Sequence, residues 1–214
     1  EAAALPLTSI TAWELLFDRL GLTEESTGEL LVIGASGGVG SIMVQLAKKR
    51  TNLTIIGTAS RPETQEWVKN IGADHVIDHS KPLDAELKAI GFDTVKYIAS
   101  LTNTDDHMAA IIEAIAPQGK MALIDDPTEF NIMPFKVKSV SVNWELMFTR
   151  SLFQTDDMIE QHKLLANVAK MVDAGDIKTT LASDFGAINA ENLIKAHALL
   201  ESGKSKGKIV LTGF

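Results

Sequence analysis

The feature that most constrains this chain is an apolar strand that runs through a glycine turn directly into a helix. Residues 30–35 read LLVIGA, and the turn Ser36-Gly37-Gly38-Val39-Gly40 leads into a helical pattern at 42–49. From Ala35 the glycines follow A-x-G-x-x-G, a variant of the dinucleotide fingerprint. One glycine lets the backbone approach the phosphates, another lets helix and strand pack closely, and the helix N-terminus attracts the anion. The turn therefore predicts a site for a dinucleotide pyrophosphate.

The composition narrows the class of protein. The 214 residues are 45% hydrophobic, which suits one substantial core or two small ones. A net charge of -8 argues against a nucleic-acid partner, because phosphate contacts need clustered Lys and Arg. No apolar run approaches the roughly 18 residues of a membrane span, and the absence of Cys excludes disulfides and thiolate chemistry. These features are typical of a cytoplasmic protein without a nucleic-acid or membrane partner.

Strands and helices alternate along the chain, which predicts a parallel sheet with right-handed crossovers. We expect an α/β fold: a Rossmann-type doubly wound parallel sheet of about six strands with helices on both faces, plus a C-terminal helix-strand extension. The strands are expected at 30–35, 53–58, 75–79, 95–99, 120–124 and 137–144, with intervening helices at 39–50, 61–71, 84–90 and 105–116. The ligand crevice is expected above the first and fourth strands, where the strand order reverses.

The two ends of the chain flank this sheet. A first helix capped by Thr8 or Ser9 is expected to end near Gly21, and residues 1–22 then enter from a preceding domain. Residues 23–145 form the predicted dinucleotide-binding domain. Residues 146–214 add helices at 156–173 and 190–202, an extended piece at 179–182 and a closing strand at 208–212.

The motifs of other protein classes have to be compared with the same glycine turn. Gly34-Ala35-Ser36-Gly37-Gly38 also matches G-x-S-x-G, the nucleophile elbow of α/β-hydrolases, with His162 or His197 and an earlier Asp as partners of Ser36. A P-loop is excluded because Gly40 is followed by Ser41-Ile42 rather than Lys and Ser/Thr. Tyr97, the sole tyrosine, has Leu101 four residues on, so the Tyr-x-x-x-Lys pair of short-chain dehydrogenases is absent from this sequence. A non-catalytic nucleotide-binding module stays open as an alternative.

The end of the second strand indicates the coenzyme. An NAD site places Asp or Glu about 20 residues past the glycines to bind the ribose hydroxyls, whereas this chain reads Gly57-Thr58-Ala59-Ser60-Arg61 there, with no acid before Glu63. Ser60 and Arg61 can donate hydrogen bonds to a 2'-phosphate, for which Arg is the preferred planar partner. The alternative is a Ser-Arg helix start without a ligand. The pattern favours NADPH.

Several further segments carry a family resemblance. They are Ala3-Leu5-Pro6 with Thr11-Ala12, the glycine turn, residues 72–77 (GADHVI), residues 117–120 (PQGK) and the ending 201–211. Together they resemble the medium-chain dehydrogenase/reductase superfamily, most closely the quinone oxidoreductase branch and the zinc-type alcohol dehydrogenase-like proteins. The resemblance implies that a GroES-like catalytic domain precedes Glu1 in the parent enzyme, and that the substrate-side catalytic groups, which stay unknown, come from that domain.

The resemblance also implies roles for individual residues. Ser36, Gly37, Gly38 and Val39 would meet the pyrophosphate, with Val39 also packing on the nicotinamide beside Thr11. Ser60 and Arg61 would take the 2'-phosphate, and His79 would bond near the adenosine phosphate. The remaining expected cofactor contacts are Asn103 at the adenine or ribose, Ile124, Asp125 and Asp126 at the nicotinamide, and Lys208 at a phosphate.

Zinc-dependent members of this superfamily carry a Cys ligand four residues before the position of Thr11, where this chain has Leu7. A catalytic zinc takes three protein ligands, so no zinc is expected from this chain. The expected activity of the parent is hydride transfer from NADPH to a small quinone, enone or related carbonyl. A zinc-dependent alcohol dehydrogenase with its ligands in the preceding domain is the alternative. Residues 139–144 alternate polar and apolar side chains, which predicts an edge strand that pairs in a homodimer.

Overall fold

The computed structural model describes residues 1–213. Six parallel strands form the main sheet in the order β3-β2-β1-β4-β5-β6, which confirms the doubly wound fold with its reversal between β1 and β4. The strands are β1 (Thr27–Ile33), β2 (Asn52–Thr58), β3 (His75–Ile77), β4 (Val95–Ser100), β5 (Ile115–Leu123) and β6 (Ser141–Trp144). The crossover helices are α2 (Gly38–Arg50), α3 (Pro62–Asn70), α4 (Leu83–Ala89) and α5 (Thr104–Ala114).

The central strand β1 is buried on both faces, as parallel strands between two helix layers must be. Leu30 and Val32 belong to the core on one side of the sheet, which includes side chains of α2 and of the N-terminal helix. Leu31 and Ile33 belong to the core on the other side, which includes side chains of α4 and α5. This double burial fixes the position of the glycine turn at the carboxyl end of β1.

The N-terminal helix differs from the expectation. Helix α1 (Pro6–Trp13) begins two residues before Thr8, because Pro6 suits a first helical position and Thr8 is buried inside the helix. The helix continues as a π-helical turn, Glu14–Arg19, which buries Glu14. The chain then reverses at Gly21, whose φ of 65° confirms the predicted end.

The expected sixth strand is shorter than residues 137–144. A 3₁₀ helix, Met133–Lys138, occupies its first part, and β6 begins at Ser141 after Ser139 turns in the left-handed region. Beyond β6 lie α6 (Thr149–Phe153), α7 (Ile159–Asp173), β7 (Leu181–Asp184), α8 (Ala190–Glu201) and β8 (Lys208–Val210). β7 and β8 pair in parallel and form the predicted C-terminal extension. Within residues 1–213, no helix combines the length and hydropathy needed to cross a membrane.

Candidate functional site

The glycine turn is held tightly at the carboxyl end of β1. Gly34 has a φ of 82°, and its N–H donates to Thr58 Oγ1 at the end of β2 (3.1 Å). A Cβ on Gly40 would lie 2.6 Å from Ala35 Cα, so the start of α2 and the strand end approach too closely for any side chain. Among residues 1–213 no side chain caps α2, and a helix gives its first N–H groups no internal partner, so a ligand can accept from them.

A cavity of about 440 Å³ opens over this turn. Its walls come from the end of β1, the start of α2, the loops after β3 and β4, helix α5, the residue after β5, the end of α8 and the segment that follows it. The carboxyl ends of β1 and β4 therefore flank it, where the order of strands reverses. Seven residues predicted from the sequence line it: Ser36, Gly37, Gly38, Val39, His79, Asn103 and Ile124.

The other predicted residues lie outside this wall. Thr11 is buried in α1, and its hydroxyl donates to the Leu7 carbonyl (3.2 Å). The Asp125 carboxylate accepts from Thr104 at the start of α5, from its N–H (2.8 Å) and from its hydroxyl (2.5 Å). Asp126 is exposed. Lys208 lies beside the turn, since its Cδ would be 2.8 Å from a Cβ on Gly38. Their roles toward a cofactor stay predictions.

Ser60 and Arg61 stand at the end of β2 and are both partly buried. The Arg61 Nε donates to Glu63 Oε1 (2.6 Å), and its Nη2 donates to the carbonyl of Lys204 (2.7 Å). Exposed ion pairs of this kind contribute only about 0–1 kcal/mol. The pair with Glu63 therefore adds little stability, and the role of Arg61 toward a phosphate stays a prediction.

Sequence reasoning missed several residues of the cavity wall. His107 of α5 lies opposite His79, with ring centroids 6.3 Å apart. Burial lowers the pKa of both histidines below the usual value. Leu200, Gly203 and Ser205 arrive from the C-terminal segment, which docks on the turn through a hydrogen bond from Gly207 N to the Ser36 carbonyl (2.8 Å). The resemblance had already implied that Lys208 of this segment lies at a phosphate, but it assigned no role to Leu200, Gly203 or Ser205.

The structure does not bring together the residues that a hydrolase or a metal site would need. His162 and His197, the proposed partners of Ser36 in a hydrolase, are exposed on α7 and α8 and are not among the residues that line the cavity with Ser36. Within residues 1–213 no group of three or more His, Asp or Glu side chains is placed to hold a metal ion.

Comparison with known proteins identifies the family. Residues 71–211 match the family described as zinc-binding dehydrogenase. The chain belongs to this family. The resemblance to the medium-chain dehydrogenases/reductases is thereby confirmed, and the relatives are oxidoreductases by name.

Three relatives show how far the similarity extends. A zinc-type alcohol dehydrogenase-like protein of Staphylococcus aureus is 39% identical over 99% of this chain and 64% of its own length. The crystal structure of a proposed zinc-dependent alcohol dehydrogenase from Rhizobium etli superposes with a TM-score of 0.94 at 57% identity, over 100% of this chain and 63% of that one. A chloroplast envelope quinone oxidoreductase homolog of Arabidopsis thaliana is 29% identical over 99% of this chain and 61% of its length. The chain thus spans less than two thirds of these relatives.

Proposed function

We propose that this chain is the NADPH-binding part of an oxidoreductase that transfers hydride to a quinone, an enone or a related carbonyl. The observation that carries the proposal is the uncapped N-terminus of α2 beneath a cavity of about 440 Å³ at the reversal of strand order. Backbone N–H groups and the helix dipole favour a pyrophosphate there. Gly37 and Gly38 carry no side chain, so the backbone of the turn is accessible to the pyrophosphate.

The residues of the chain orient the cofactor rather than perform the chemistry. The dinucleotide supplies the hydride. Ile124 follows β5 and His79 follows β3, on opposite sides of the turn in the order of strands. With the pyrophosphate at the turn, we therefore expect the nicotinamide beside Ile124, together with Val39 as the family resemblance implies. No Asp, Glu, His or Lys of this chain is assigned as a catalytic acid. We expect those groups in the rest of the parent enzyme, as the family resemblance implies.

The choice of NADPH rests on the end of β2. No carboxylate follows Thr58 to accept from ribose hydroxyls or to repel a 2'-phosphate before Glu63, while Ser60 and Arg61 are available as donors. A hydrogen bond to a charged group contributes about 1.5–3 kcal/mol, which is roughly tenfold to a hundredfold in affinity.

Fluorescence titration of the chain with NADPH and NADH tests this proposal. We expect NADPH to bind roughly ten to a hundred times more tightly in dilute buffer, with a smaller difference at high salt because the contact is exposed. Arg61→Ala should remove most of the difference and leave NADH affinity nearly unchanged. Lys49→Ala is the matched control, because this exposed cation lies at the far end of α2 and pairs with Asp176 (2.9 Å). Equal dissociation constants for the two coenzymes would refute the preference.

We further propose that β6 pairs with its copy in a homodimer. It is the outer strand of the sheet, and large apolar side chains are exposed around it: Trp144, Leu146, Phe148, Leu152 and Phe153. Apolar clusters of this kind mark interaction surfaces. Light scattering should give a dimer mass that Phe153→Lys lowers, since Phe153 is 76% exposed in the single chain. A monomer mass at every concentration contradicts the proposal.

A further inference from the structure

The Ser36 carbonyl in the glycine turn is held by donors that lie outside the cavity. Its oxygen accepts from Gly207 N (2.8 Å) and from Ser41 Oγ (3.3 Å). On the other edge of the same peptide, Gly37 N donates to the Gly34 carbonyl (3.1 Å). Ser41 and Gly207 are buried and are not among the residues that line the cavity. The peptide between Ser36 and Gly37 is therefore fixed at both edges, with its carbonyl bonded to groups behind the cavity wall.

Trp67 of α3 sets the direction of this chain of hydrogen bonds. Its indole N–H donates to Ser41 Oγ (2.8 Å). An indole nitrogen can only donate and a hydroxyl carries a single proton, so the proton of Ser41 is left for the Ser36 carbonyl. Hydrogen bonds linked in series strengthen one another. The chain from Trp67 through Ser41 to Ser36 therefore connects α3 with the glycine turn.

The indole of Trp67 lies between α2 and the C-terminal segment. Gly57 lets α3 approach the turn so closely, because a Cβ there would lie 2.5 Å from Val68 Cγ1. On the other side, a Cβ on Gly207 would lie 3.0 Å from Trp67 Cζ2. The ammonium of Lys206 lies over the indole, 5.5 Å from the ring centroid. Trp67 is therefore next to both donors of the Ser36 carbonyl.

We propose that Trp67 and Ser41 are positioning residues of the coenzyme site, which hold the Ser36 carbonyl away from the pyrophosphate. This inference rests on the proposed binding of a nicotinamide dinucleotide at the turn. Successive backbone N–H groups form a concavity that attracts an anion, whereas a carbonyl oxygen turned into it would repel the pyrophosphate by its partial negative charge. Neither side chain lines the cavity, so both act through the peptide of Ser36. Their effect therefore falls on the pyrophosphate and not on the 2'-phosphate.

Titration calorimetry of Trp67→Phe and Ser41→Ala tests the inference without any activity measurement. The first variant keeps an aromatic ring and loses the N–H, and the second loses the hydroxyl. We expect each to bind NADPH and NADH roughly threefold to tenfold more weakly, as for one lost hydrogen bond, with an unchanged ratio between the two affinities. Adenosine 2'-phosphate, which has no pyrophosphate and is measured by displacement of NADPH, should bind as it does to the native chain. The double variant should lose little more than the weaker-binding single variant, because both substitutions break the same chain of hydrogen bonds.

Trp13→Phe is the matched control, because Trp13 packs on Phe17 in the N-terminal helix region (ring centroids 4.8 Å apart) and does not line the cavity. It should leave all affinities unchanged. Urea denaturation of the same variants separates positioning from a merely structural role. Lower stability with native affinity for NADPH, equal weakening of adenosine 2'-phosphate, or losses that multiply in the double variant would each overturn the inference and leave the coenzyme proposal intact. If the native chain binds neither NADPH nor NADH, both proposals fail.

Discussion

The carboxyl end of β1 and the neighbourhood of the outer strand β6 are built in opposite ways. At β1 the structure depends on close backbone approach, with Gly40 against Ala35 and Gly34 tied to Thr58. Beside β6 it depends on buried carboxyl groups: Glu14 and Glu145 are almost fully buried, and they accept hydrogen bonds from Arg150 and Arg19. A small side-chain change should therefore disturb the first region by its volume, and the second by leaving a buried polar group without its partner or proton.

The largest expected effect lies in the charged region. Arg150 donates to Glu14 (2.5 Å), Asp18 (3.0 Å) and Asp157 (3.0 Å). Arg150→Ala leaves Glu14 buried without its cation and should cost about 3–5 kcal/mol of unfolding free energy. Urea denaturation measures this, with Lys49→Ala as the control at about 0–1 kcal/mol, because its pair is exposed. Similar losses in both variants would remove the distinction between buried and exposed charge.

The next effect belongs to the glycine turn. Gly40→Ala forces a methyl group into the backbone of Ala35. We expect this substitution to lower the free energy of unfolding by about 1–3 kcal/mol or more. Gly37→Ala is the matched control: its φ of -72° suits any residue, and its Cβ would have an ordinary separation of 3.4 Å from the Gly34 carbonyl. We expect Gly37→Ala to fold normally and to bind NADPH at least about tenfold more weakly, which is about 1.4 kcal/mol. Unchanged NADPH affinity in Gly37→Ala would place the pyrophosphate elsewhere.

The third prediction concerns pH. Burial raises the pKa of Glu145 to about 8, helped by the neighbouring Glu14 carboxyl and opposed by Arg19. The folded chain then holds this proton more tightly than the unfolded chain, whose value lies near 4.5. The contribution of Glu145 to stability is fully present below about pH 4.5 and is lost as the pH rises toward about 8. The slope is at most about 1.4 kcal/mol for each pH unit.

Glu145→Gln tests this prediction, since the amide keeps the shape and cannot ionise. Denaturation curves at several pH values should show that the free energy of unfolding depends less on pH in the variant than in the native chain. The variant should therefore become more stable relative to the native chain as the pH rises from about 5 to 8.5. The exposed Glu191, paired with Lys195, provides the control: Glu191→Gln should keep the slope of the native chain. An undiminished slope in Glu145→Gln would assign the pH dependence to other groups.

The same contrast explains what the sequence could predict. The glycine turn was accessible because it is a local pattern: an apolar strand, three glycines and a helix start. The doubly wound parallel sheet followed from the alternation of strands and helices along the chain. The charged network was not accessible, because Glu14 and Arg150 lie 136 residues apart in the chain. A buried Glu in a π-helical turn has the same local pattern as an exposed Glu in an α-helix.

The cavity wall divides in the same way. Gly37 could be predicted from the glycine pattern of the turn, whereas the roles of Ser36 and Val39 came from the family resemblance. His107 and Leu200 could not be predicted, since their positions depend on how α5 and the C-terminal segment pack. Ser60 and Arg61 followed from the missing acid at the end of the second strand, and the resemblance supplied the remaining candidates. Arg61 and Asp125 already have partners within the chain, which pattern alone does not reveal.

The smallest effect is expected at Asn103, a non-glycine residue with left-handed backbone (φ 53°, ψ 37°) at the cavity. Its side chain accepts from Thr102 Oγ1 (2.6 Å) and donates to Asp106 (3.3 Å). Asn103→Ala should lower the free energy of unfolding by about 1 kcal/mol because alanine disfavours this conformation. Asn103→Gly should keep the free energy of unfolding within about 0.5 kcal/mol of the native value.

Denaturation and NADPH titration of both variants distinguish two roles of Asn103. If the amide binds the ribose or adenine, both lose affinity equally; if only the backbone turn matters, Asn103→Gly binds as the native chain does and Asn103→Ala binds more weakly.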